Sequence, residues 1–183
     1  RWGFYKYGIK RNGNSEEVVL VKSMNCFDIS KSIKENYPNI RYDVQKFFLP
    51  INAEYHTPLF PDSQLRTEEN FDYLGDKAHR YALQKVYISF SYKRDMRPGD
   101  LLVIYRNGTN AGRKAFESVV STVCVVDEVR YNFSSEDDYL KYCENRTVFS
   151  QETLKRFWEK HREKLLVVKF IFVKSLTKRI TLG

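Results

Sequence analysis

The sequence predicts an α+β protein: a curved, partly closed β-barrel decorated by helices, with a β-hairpin appended on its N-terminal side. Three observations carry this expectation. Runs of β-branched and aromatic residues outnumber amphipathic helical runs. The strand-like runs are not separated by regular crossover helices, which argues against a doubly wound parallel sheet. The 13 Tyr and 13 Phe of the chain suit pleated, half-buried surfaces.

Along the chain, residues 1–24 read as strand, turn, strand: Phe4 to Tyr7, a turn at Arg11 to Asn14, then Val18 to Val21. A hairpin alone is marginal in water, so it is expected to pack on a neighbour. Residues 26–37 read as a short helix ended by Pro38, and "VQKFFLPI" as a strand. "EYHTPLFPDS", residues 54–63, reads as a stiff ordered loop, because each proline fixes its own φ and pushes the residue before it towards extended geometry. Residues 67–85 read as two helical pieces broken near Gly75, and 86–92 as a strand. "RPGD" is a turn leading into the buried strand 101–106, and 116–131 a long strand with a bulge or bend. Ser134 and Ser135, followed by Asp137 and Asp138, read as a capped start for a helix over 135–143, and Ser150 as the cap of another over 151–160, before a closing strand at 165–176.

Composition narrows the function classes. With 183 residues, 42% hydrophobic and 30% charged, the chain has the make-up of one large globular domain or of one domain plus an appendage. No apolar run reaches the length of a membrane span and no leader pattern opens the sequence, so a cytoplasmic protein without a membrane partner is expected. Cys26, Cys124 and Cys143 are odd in number and lack paired spacing, which reads as reduced thiols. Three histidines and three cysteines scattered singly do not make a zinc set, and no cofactor is expected.

The net charge of +8 is unevenly spread. Residues 77–114 carry 9 basic against 2 acidic side chains and 160–183 carry 7 against 1, whereas 25–76 and 115–159 each carry 5 against 9. A basic face of this kind favours phosphate contacts and steers polyanions. Tyr81, Tyr87, Tyr92 and Tyr105 are interleaved with these cations, and bases stack on aromatic rings. No nucleophile elbow, zinc-protease helix, P-loop or paired-cysteine motif occurs.

Two segments resemble known families. "GFYKYGIKRNG" and the strand after it resemble the last two strands of GCN5-related acetyltransferases. The Gly-rich loop that holds acetyl-CoA pyrophosphate in that family is absent from this chain, so no acetyltransferase activity is carried onto it. The resemblance instead implies that residues 1–24 end an acetyltransferase domain of a longer protein, and that such a domain is a partner of residues 25–183. "RPGDLLVIYR" followed by "VVSTVCVVDEV", with "HRYALQKVYIS" before them, resembles the centre of PUA-like domains, the superfamily that includes the EVE and ASCH families. That resemblance implies a nucleic-acid-binding module for RNA or DNA that holds a modified or flipped base in a pocket.

The expected binding set is His56, Thr57 and Asp62 at the mouth of the barrel, with Arg80, Tyr81, Lys93, Arg97, Tyr105 and Arg106 from the basic block. A base pocket needs aromatic faces, fixed polar groups and cations for flanking phosphates, and these residues supply all three. An ASCH-like hydrolase using Thr57, Lys85 and Glu54 is a second reading, although the G-x-K-x-x-E-x-R run of ASCH domains is not present. A protein-interaction module of a toxin-like acetyltransferase is a third, which predicts an exposed apolar patch and no nucleotide pocket.

Overall fold

β-Branched and aromatic segments build seven strands among the described residues of the computed structural model, which are 2–66, 68, 77–91, 95–109 and 114–181. The chain divides into two compact units, residues 1–43 and 44–183.

In the first unit β1 (Tyr5–Asn12) and β2 (Ser15–Val21) form an antiparallel two-stranded sheet with Asn12 opposite Ser15. Gly13 turns the chain at φ 59°, a left-handed conformation that costs glycine little. A short helix, α1 (Ile33–Asn36), starts on a reciprocal cap: the Ser32 hydroxyl accepts from the Glu35 N–H while the Glu35 carboxylate accepts from the Ser32 N–H. Gly3 lies so close to α1 that a Cβ there would stand 2.5 Å from the Glu35 carbonyl oxygen. Buried Asn36 latches the preceding loop, with its amide donating to the Asp28, Lys31 and Ser32 carbonyls. The helix expected over 26–37 is therefore only its last turn. The earlier residues use side chains such as Asp28 and Asn36 to satisfy backbone groups locally, an alternative that competes with helix.

The second unit is a strongly curled, five-stranded half-barrel in the order β3-β5-β6-β7-β4. β3 (Lys46–Ile51) runs parallel to β5 (Leu101–Arg106); β6 (Val119–Arg130), β7 (Leu166–Thr181) and β4 (Gln84–Ser89) complete the sheet by antiparallel pairing. The pairing of β6 with β7 shifts register at three places, between Val120 and Thr122, Val123 and Cys124, and Val126 and Glu128. Each irregularity bends the strand and adds twist, so the two longest strands supply the curl. Leu49, Leu102, Ile104, Val126, Val168 and Phe170 form one core cluster with Leu59 of α2 (Ala53–Leu59) and Phe60 just after it. A second cluster joins Val86, Ile88, Leu165 and Val167 to α5 (Glu136–Cys143) and α6 (Gln151–His161). Ser135 and Ser150 cap α5 and α6, as their sequence positions predict.

Three local expectations need correction. Residues 53–59 form α2 with Pro58 inside it, and Pro61–Ser63 form a 3-10 turn, where a loop is expected. Burial of His56, Leu59 and Phe60, at 0%, 4% and 1% exposure, outweighs the proline penalty in so short a helix. Phe60 still leaves the helix at φ −128°, as a residue before proline prefers. β4 begins at Gln84, so Lys85 belongs to a strand and not to a helix; among the described residues of the expected helical stretch, Ala78–Tyr81 are α-helical (α3), and 67 and 69–76 lie outside the described residues. Residues 114–117 form a helical turn, α4 (Lys114–Glu117), ahead of β6 rather than its first residues.

Candidate functional site

Two polar assemblies meet at the α2/3-10 segment. The first is buried beneath it. His56 projects from α2 with no exposed surface, and its Nε2 lies 2.7 Å from the Ser121 hydroxyl on β6. Ser63 bonds to the Thr122 hydroxyl at 2.6 Å and donates to the Ser175 hydroxyl at 2.9 Å, and Ser175 donates onward to the Asp62 carbonyl at 2.8 Å. Beside these, the Glu68 carboxylate receives the Arg106 guanidinium at 2.5 Å, the Thr57 hydroxyl at 2.7 Å and the Leu65 N–H at 3.1 Å. Burial, with the Arg106 cation next in weight, holds His56 down to about 4, so the imidazole is neutral at pH 7. These bonds tie residues 56–63 to β6 and β7. The short 53–63 segment is a wall held by hydroxyls.

The second assembly is the cleft that this wall borders. Phe60, Pro61, Asp62, Arg80, Tyr81, Ala82, Leu83, Lys85 and Phe172 line a small, open cleft of about 100 Å³, below the ~300–1,000 Å³ usual for enclosed ligand pockets. Lys85 rises from β4, and its ammonium donates to the carbonyls of His79 at 2.8 Å and Arg80 at 3.1 Å. It thereby satisfies orphan carbonyls at the end of α3. An ammonium has three donors, and these carbonyls take two of them. Burial lowers Lys85 to about 8, and the Asp62 carboxylate opposes that shift; the group still carries its charge at pH 7. Tyr81 is 65% exposed. The cleft thus combines an aromatic face, a recessed cation and an exposed carboxylate.

The sequence-predicted residues fall into several groups. Asp62, Arg80 and Tyr81 come together in the cleft. His56, Thr57 and Arg106 are buried, with Thr57 and Arg106 joined through Glu68, so His56 is not at the mouth of the barrel as expected. Arg106 spends its charge on Glu68 inside the protein. Arg97 is exposed, with its backbone N–H bonded to the Asp100 carboxylate. It sits in the turn before β5, closed by the Asp100 N–H on the Arg97 carbonyl, whereas Arg106 ends that strand, whose own length is about 17 Å at roughly 3.3 Å per residue. Half-buried Tyr105 lies within β5, opposite Val120. Lys93 lies outside the described residues. Of the alternative trio, Thr57 is bonded to Glu68, Lys85 to backbone carbonyls, and Glu54 is exposed; no hydrogen bond joins the three among the described residues.

Sequence reasoning did not select Ser63, Glu68, Ser121, Thr122, Ser175 or Arg179. The signal for Ser121 and Thr122 was available: two hydroxyls interrupt the apolar run of β6 at the point where its pairing is irregular. Arg179 donates to the Ser121 carbonyl at 3.0 Å and to the Leu176 carbonyl.

A mixed α+β protein with a curled five-stranded half-barrel and a polar cleft beside its α2/3-10 segment is what fold and site define. Compared with known proteins, the chain matches no family model, no curated protein and no solved structure. No helix among the described residues is long and apolar enough to cross a membrane.

Proposed function

We propose that residues 44–183 form a PUA-like nucleic-acid-binding module that takes one unpaired or flipped base of RNA or DNA into the Tyr81 cleft. The curled mixed sheet with few helices is compatible with that fold. The observation that carries the reading is the 65% exposed Tyr81 beside the Lys85 ammonium and the Asp62 carboxylate. A stacked base offers donors and acceptors on its edge, and Lys85 and Asp62 supply one group of each kind. Arg80 and Lys85, both from the basic block, line this cleft. Free cysteines, two of them buried, support a cytoplasmic location within this proposal.

We further propose that β1 and β2 adjoin an acetyltransferase domain. Tyr7, Ile9, Val18 and Leu20 on the hairpin are all at least 49% exposed, the surface expected of strands that gain a neighbour.

Fluorescence anisotropy with labelled single-stranded RNA and DNA oligomers tests the base reading. Tyr81→Ala is expected to weaken binding about 5- to 150-fold, from roughly 1–3 kcal/mol of stacking, with the melting temperature unchanged because the ring is on the surface. Equal affinity of Tyr81→Ala and wild type would reject the cleft as a base site.

A further inference from the structure

We infer that a second cleft, bounded by Arg66 and Arg179, holds a phosphate of the strand whose base occupies the Tyr81 cleft. This rests on the base reading for its ligand and on separate residues for its chemistry. Asp62, Gln64, Leu65, Arg66, Ser175, Leu176, Thr177 and Arg179 line the second cleft. Asp62 lines both clefts, so a group in one is adjacent to a group in the other.

Arg179 is held in place for anion binding. Its guanidinium donates to the Ser121 and Leu176 carbonyls and to the Ser175 hydroxyl, which removes much of the freedom of a long side chain before a ligand arrives. It is half-buried, and among the described residues no carboxylate forms an ion pair with it. Glu68 is the acid near enough to act on Arg179, but that carboxylate is taken by Arg106, Thr57 and the Leu65 N–H. Burial lowers the Arg179 pKa and Glu68 opposes the shift; the guanidinium remains a cation at any physiological pH. A partly desolvated cation lacking a counter-ion gains from a nearby anion. Arg66 is exposed, forms no ion pair among the described residues, and adds a second guanidinium suited to phosphate. The opposing charge in the lining is the single carboxylate of Asp62, which also acts electrostatically on Lys85. The balance of the second cleft is therefore positive.

Two measurements test this. In the first, single-strand affinity is followed across salt concentration for wild type, Arg66→Ala, Arg179→Lys and Tyr81→Ala. One phosphate contact on a single strand contributes about 0.7 to the slope of log affinity against log salt. Arg66→Ala is expected to reduce the slope by about that amount, and Arg179→Lys, which keeps the charge but loses the planar fork, to weaken binding several-fold. Loss of binding in Tyr81→Ala alone, with the slope and affinity of both arginine variants unchanged, overturns the phosphate site and leaves the base cleft standing. In the second, inorganic phosphate is titrated into the wild-type protein and followed by amide NMR. Shifts confined to residues 62–66 and 175–179, and absent in Arg66→Ala, are expected even if no oligomer binds. Their absence overturns the site independently of the base reading.

Discussion

Replacing Arg106 with methionine is expected to cost about 3–5 kcal/mol of folding stability, measured by urea denaturation. The Arg106 and Glu68 side chains are 8% and 15% exposed and meet at 2.5 Å. Removing only the cation leaves a carboxylate inside the protein with, among the described residues, the Thr57 hydroxyl and the Leu65 N–H as its remaining donors. Breaking one half of a buried pair is costly for this reason, whereas replacing both halves is often close to neutral. Adding Glu68→Gln to Arg106→Met is therefore expected to restore most of the loss, because a neutral amide needs no counter-charge. A single variant within about 0.5 kcal/mol of wild type, the range of an ordinary surface change, would mean that the pair does not hold Thr57 and Leu65 in place.

Acidification is expected to remove about 3 kcal/mol of stability through His56. Its folded value near 4 lies below the ordinary 6.5, first because of burial and then because of the Arg106 cation, with Arg179 acting in the same direction and Glu68 against it. The native state therefore binds fewer protons than the unfolded chain between pH 6.5 and 4. The stabilisation is complete above pH 6.5 and is lost as the pH falls through 4. His79 is also lowered to about 4, by burial and then by Lys85, so wild-type protein should lose stability through both histidines. His56→Gln retains a donor for the Ser121 hydroxyl but does not titrate, and isolates the His56 share. Denaturation of both proteins at pH 7 and pH 4.5 should show a smaller pH effect in the variant; parallel curves would exclude His56 as the titrating group.

Local patterns were legible where one interaction within a few residues decides the structure. Ser135 and Ser150 accept from backbone N–H groups three residues on, and Gly13 turns the hairpin whose strands are adjacent in sequence. The strands at 101–106 and 119–130 announced themselves by β-branched content. The ten residues from Glu54 to Ser63 did not yield in the same way. Their prolines speak for a loop, yet the segment is helical because apolar and polar partners far along the chain cover it. Phe60 packs on Phe170, His56 reaches Ser121, and Ser63 reaches Thr122 and Ser175.

The same division runs through the candidate sites. By itself the sequence determined the α+β class, the hairpin, the capped helices and the presence of tyrosines among basic residues, since each follows from residue type and short spacing. Only the tertiary structure decided which cations remain available. It buried Arg106 against Glu68, drew the Lys85 ammonium to the end of α3, and left Arg66 and Arg179 lining a cleft. Charge counted along a chain carries no information on burial. The penalty for taking a cation out of water is met by whichever carboxylate or carbonyl the fold brings within about 3 Å, and those partners lie from three to more than fifty residues away in sequence.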